Sequence, residues 1–210
     1  MKKNHQNLRF IVVFAAFFCA IILLRLFPLQ AKNEDVNTNY FVRILIVLAI
    51  CLLLAIWYVV PVFKKSLRQI PFLKASTVAF VWSLILIAIP TLLFHPILPI
   101  NEITLYFIFF YALTIPFNIR DQQEDKKEAK TLVHLIGERN AVIAGVTLMI
   151  CFHTGLFTIY PILLTSGAYL AFAFCSIVLL ALAKSDRPLS YYALIDGLML
   201  FLGAVLLNEQ

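Results

Sequence analysis

The chain has 210 residues, of which 62% are hydrophobic and 13% charged, with a formal net charge of +6. Soluble globular chains are about half apolar and about a quarter charged, so this composition excludes a water-soluble fold. The length leaves room for a single domain, 1–210, and not for a membrane bundle with a separate soluble core.

A helix crosses about 30 Å of hydrocarbon with about 20 apolar residues. Seven runs of that kind predict an all-α, polytopic transmembrane bundle with spans at 9–29, 41–63, 75–94, 100–117, 141–163, 167–183 and 189–207. The first follows a basic start, but Arg25 and Leu26-Phe27-Pro28 stand where a cleavage site would need small residues, so it reads as a span. Trp57 and Tyr58 end the second span and suit an interfacial belt. Pro90 breaks the third, in which Trp82 lies nearer the middle, suited to packing or to a lipid tail. The fifth carries Gly145, Gly155 and His153, the sixth is short, and the seventh holds Asp196 close to Tyr191, Tyr192 and Gly197. Cys19, Cys51, Cys151 and Cys175 all fall in apolar runs without ligand spacing and read as small buried hydrophobes.

Basic residues alternate between the two sides. Of the 17 Lys and Arg, all but Arg25, Lys32 and Arg43 lie in the amino-terminal tail or in the second, fourth and sixth connectors. The positive-inside rule therefore puts the amino terminus and these connectors in the cytoplasm and the carboxy terminus outside. The expected location is a multi-pass position in the cell inner membrane. Orientation thus accounts for the positive charge, and nucleic acid is not expected as a partner.

The stretch FNIRDQQEDKKEAKTLVHLIGERNA, 117–141, is the one long polar interruption of the second half. Asn118, Asp121 and Asp125 are spaced i, i+3 and i+7, which places them on one face if the fourth helix runs past the bilayer surface. Oxygen donors gathered in this way suit Mg²⁺, a hard ion commonly held by one or two carboxylates together with phosphate oxygens of a substrate. Arg120, Lys126 and Lys130 can add charge-assisted bonds to the same phosphates. The same stretch equally suits a solvated connector, since its five positive and five negative charges can pair with one another. Spacing alone leaves both readings open. His134 has no second ligand nearby in sequence and does not suggest zinc.

The run N-x-x-D-x-x-x-D, followed by Lys126, Lys130-Thr131-Leu132 and Leu135-Ile136-Gly137, resembles the second aspartate-rich motif of the UbiA superfamily of intramembrane prenyltransferases. Weaker likenesses lie in YVVPVFKKSLRQIPFLK, 58–74, and in RPLSYYALIDGLML, 187–200. The resemblance implies a helical bundle in which two aspartate-rich motifs hold a prenyl diphosphate through Mg²⁺ while the tail lies in an apolar cavity. The prenyl carbocation then alkylates an aromatic or lipid-like acceptor. On this resemblance Asp121 and Asp125 are the catalytic carboxylates, and Arg120, Lys126 and Lys130 contact the diphosphate. Asn118 stands where the family commonly has Asp and offers an uncharged amide oxygen. The first motif, N-x-x-x-D-x-x-x-D, occurs nowhere in the sequence. The expectation is therefore a chain like family helices three to nine, with little activity by itself unless a partner chain supplies that motif. The alternative is a non-catalytic membrane protein of the same fold that binds isoprenoid or lipid or serves as a structural partner.

Two intramembrane polar residues complete the reading. An embedded carboxylate is expensive, which makes Asp196 a further candidate: a cavity-lining group that contacts substrate or Arg187, or else a helix–helix or interfacial group. His153 is expected to serve as a neutral interhelical hydrogen-bond partner.

Overall fold

The computed structural model describes residues 37–60, 66–70, 72–94, 97–121 and 132–208. The first predicted span, 9–29, lies outside these residues, as do Asp125, Lys126 and Lys130. Among the described residues every regular element is helical. They are α1 (Asn37–Val59), a short 3₁₀ turn (Leu67–Gln69), α2 (Leu73–Ser83), a π turn (Leu84–Ala88), α3 (Ile89–Phe94), α4 (Ile100–Arg120), α5 (Leu132–Ile136), α6 (Glu138–Ile159), a 3₁₀ turn (Pro161–Leu164), α7 (Gly167–Ala181) and α8 (Leu189–Asn208).

Four of the helical stretches, Val42–Val59, Leu73–Leu93, Ile100–Arg120 and Glu138–Ile159, are long and apolar enough to cross a bilayer. Gly167–Ala181 and Leu189–Val205 are shorter apolar helices. Large apolar side chains, among them Leu53, Phe174, Leu194 and Leu200, face outward. In water such an exterior would be an extensive apolar patch; in lipid it is the expected one. These features mark a polytopic membrane protein.

The third predicted span does not break at Pro90. Proline removes one helical donor and clashes with the preceding turn, and here the π turn just before it widens the helix, with Ile89 N–H bonded to Leu84 O five residues back. The rod from α2 to α3 therefore runs on. The fifth span ends earlier than expected, because Tyr160, which precedes Pro161, is pushed out of helical geometry to φ −124 and ψ 76.

Neighbours in sequence pack as antiparallel neighbours in space. Along α2 and α4, Ser76 lies beside Tyr111 and the Phe80 and Phe107 rings meet at 6.5 Å. Along α4 and α6 the pairs descend from Glu102 with Tyr160 (2.7 Å), through Leu105 with Gly155 and Phe109 with Phe152 (4.7 Å), to Ile115 with Gly145. Phe172 and Phe201 join α7 to α8 at 5.8 Å.

Close approach of α4 and α6 depends on the two glycines that interrupt the fifth span. A Cβ at Gly155 would lie 2.3 Å from Leu105 Cδ2, and one at Gly145 would lie 3.3 Å from Ile115 Cδ1. Small residues at such crossings let helix backbones approach in a bilayer, where dispersion replaces hydrophobic driving force.

The space between α4, α6 and α7 is filled by rings. Phe109, Phe152, Phe172 and Tyr169 are fully buried, and Tyr106 closes on Phe152 at 5.6 Å. His153 sits among them as a neutral interhelical partner, as expected. Ser176 Oγ donates to Ala173 O at 2.9 Å, so it accepts from His153 Nε2–H at 2.9 Å, which leaves Nδ1 to accept from Tyr169 Oη–H at 2.8 Å. That assignment gives every hydrogen of the trio a partner.

One expectation is corrected. Cys51 is buried, but Cys151 and Cys175 are exposed, not buried among neighbours. An outward position in lipid suits a small apolar thiol, so an apolar run does not distinguish the two environments. Cys19 lies outside the described residues.

Candidate functional site

Among the described residues, antiparallel packing brings Lys74, Arg120, Lys184 and Arg187 to one end of the bundle. The amino-terminal end of α2, the carboxy-terminal end of α4 and the connector between α7 and α8 all lie there, as the Ser76–Tyr111 and Arg120–Tyr192 neighbours require. Glu102 and Tyr160 mark the opposite end, beside a shallow depression of about 360 Å³ lined by Leu98, Pro99, Ile100, Asn101 and Ile159.

The polar stretch begins inside α4. The helix runs three residues beyond the predicted boundary to Arg120, and Asp121 caps it at φ −76 and ψ −1, its N–H bonded to Phe117 O at 2.9 Å. The helical spacing of Asn118 and Asp121 therefore holds as far as the cap. Asn118 is buried at 5% exposure, whereas the Asp121 side chain is about a third exposed, at 32%. A carboxylate after the last turn faces the negative pole of its helix, a position helix stability does not favour. Arg120 offsets this: its Nε donates to Asp121 Oδ1 at 2.7 Å.

Arg120 is itself held by rings. Its Cζ lies 5.2 Å from the Phe117 centroid and 4.9 Å from the Tyr192 centroid. Tyr192 comes from the first turn of α8 and is 2% exposed; its Oη–H donates to Lys184 O at 3.1 Å. Glu138, the first residue of α6, accepts the Ser185 N–H at 3.3 Å. Arg187 donates from Nε to Leu182 O at 2.8 Å and covers the Tyr191 ring at 5.8 Å, while the Tyr191 hydroxyl donates to Leu179 O.

Gly137 gives the Leu135-Ile136-Gly137 run a physical reason. It lies between α5 and α6 at φ 82 and ψ 159, a region open essentially to glycine alone. Its N–H closes α5 onto Val133 O, and its carbonyl accepts the Ala141 N–H in α6.

The predicted site residues thus divide. Asn118, Arg120 and Asp121 sit together at the basic end; Asp125, Lys126 and Lys130 lie outside the described residues; Asp196 is exposed on α8, one turn beyond Tyr192. Arg187, the suggested partner of Asp196, is engaged with Leu182 and Tyr191. Among the described residues no three His, Cys, Asp or Glu side chains gather to hold a metal. What Asn118 and Asp121 offer is an amide oxygen and a carboxylate, a donor type that fits Mg²⁺ completed by phosphate oxygens. Sequence reading did not single out Glu138, Ser185 or Tyr192 for this end, although Arg187-Pro188 before Ser190-Tyr191-Tyr192 announced a polar helix start.

No family model, no characterised protein and no solved structure matches this chain.

Proposed function

We propose that this chain is a UbiA-like membrane protein that binds a prenyl diphosphate at its basic end. Transfer of the prenyl group to an aromatic or lipid-like acceptor then requires the first aspartate-rich motif, supplied by a partner chain. The observation that carries this reading is Asp121 at the negative pole of α4 with Arg120 bonded to it, beside the connector from α7, above an apolar bundle. Asn118 and Asp121, with Asp125, are the residues that would hold Mg²⁺. The ion would neutralise diphosphate charge and ease departure of the leaving group. Lys126 and Lys130 add phosphate contacts, and the basic end faces the cytoplasm of a cell whose inner membrane holds the protein.

A non-catalytic protein of the same fold is the second reading. It is favoured by the rings of Phe109, Phe152 and Phe172, which fill the space between α4, α6 and α7. An assay with Mg²⁺, a polyprenyl diphosphate and mixed aromatic acceptors separates the cases. Little turnover by the purified chain despite diphosphate binding is expected, because losing one wall of a charge-stabilising site costs several orders of magnitude. Brisk turnover that disappears in Asp121→Ala would overturn the need for a partner, and failure to bind the prenyl diphosphate would leave the second reading.

A further inference from the structure

We propose that Tyr192 is a positioning residue for the Asp121 carboxylate and acts on it through Arg120, an inference that rests on the diphosphate-binding reading of this end. Asp121 follows the last turn of α4 and is about a third exposed. Its fixed partner is Arg120 Nε, at 2.7 Å from Oδ1. A guanidinium delivers that bond in a set direction only when its own plane is set, and an arginine stem has many rotamers. Here the plane is set by rings: Tyr192 at 4.9 Å and Phe117 at 5.2 Å from Cζ, themselves 5.5 Å apart.

Of the two rings, Phe117 moves with α4, whereas Tyr192 brings a contact from α8. It is buried, and its hydroxyl is tied to Lys184 O. The adjacent Ser185 N–H is tied to Glu138 at the start of α6. Three helices thus fix the guanidinium, and the guanidinium fixes the carboxylate. Lysine cannot replace Arg120 in this role, because an ammonium has no plane to stack and no in-plane Nε donor.

Binding of Mg²⁺ with inorganic pyrophosphate to the full chain in detergent, followed by calorimetry, tests the proposal. Tyr192→Phe keeps the ring but frees it from Lys184 O, and is expected to weaken binding less than Tyr192→Leu does. Tyr192→Leu is expected to weaken binding about two- to fivefold, the range of a cation–π contact whose cation is partly exposed, as the Arg120 side chain is at 38%. If Tyr192 acts through Arg120, the Arg120→Gln/Tyr192→Leu double variant binds no more weakly than Arg120→Gln alone. Losses that multiply in the double variant, or wild-type binding by Tyr192→Leu, would overturn the proposal. Should Tyr192→Leu fail to fold, Arg120→Lys carries the same test: it retains charge and loses the stack, and unchanged binding contradicts the inference. A wild-type chain that binds no pyrophosphate removes the diphosphate reading and this one together, and is recognised before any variant is compared.

Discussion

Arg120 shows how much a single residue can be asked to do at this end. It balances the helix pole, bonds the Asp121 carboxylate and stacks on rings from two helices. Its position after Asn118 was legible in the sequence; its ring partner, 72 residues away, was not, since nothing local links Tyr192 to α4. His153 is the opposite case. An imidazole in an apolar span implies a polar partner because an unsatisfied donor in hydrocarbon is costly, and the structure supplies Tyr169 and Ser176. His153→Phe is expected to lower stability by about 1–2 kcal/mol, the scale of interhelical hydrogen bonds in membranes. Reversible denaturation in mixed micelles measures this, and an unchanged midpoint would show that the trio contributes packing alone. Gly137→Ala, at φ 82, is expected to cost about 1–3 kcal/mol through backbone strain in the same assay; an equally stable variant would mean the turn between α5 and α6 relaxes.

At the scale of elements, helix positions were legible because hydrophobic length is a coarse signal that a bilayer imposes directly. Helix ends were less so. The apolar run around Pro116 gives way to Asn118 and Arg120 without a break in backbone geometry, so α4 outlasts its hydropathy. Pro90 looked like a break, but a widened turn before it absorbs the missing donor. Gly145 and Gly155 read as interruptions and act as contact points against α4. Gly155→Val is expected to destabilise the chain by about 1–3 kcal/mol by overpacking against Leu105. Leu105→Ala added to Gly155→Val should recover part of that loss; equal or greater instability of the pair would place the strain elsewhere.

For the whole molecule, the alternation of charge predicts one arrangement, and the described helices pack antiparallel. Among the described residues Lys74, Arg120, Lys184 and Arg187 share an end, and Glu102 with Tyr160 marks the other. With the native cysteines replaced, single cysteines at Ser185 and Asn101 are expected to react with an impermeant maleimide from opposite sides of sealed vesicles. Labelling of both from one side would refute the arrangement. What remained illegible in the sequence is the filling of the bundle. The spacing of Phe109, Phe152 and Phe172 is compatible with a cavity wall or a packed core, and only their mutual approach, at 4.7 and 6.4 Å from Phe109, decides for the core.

The central claim is that the end of α4 carries one half of a diphosphate clamp. Calorimetric titration of the wild-type chain and of Asp121→Asn with inorganic pyrophosphate, with Mg²⁺ and with Mg²⁺ chelated, addresses it most directly. Saturable binding that requires Mg²⁺ and weakens about tenfold or more in the variant is expected, as for loss of a charged ligand. Absent binding, or binding indifferent to Mg²⁺ and to Asp121, would contradict it.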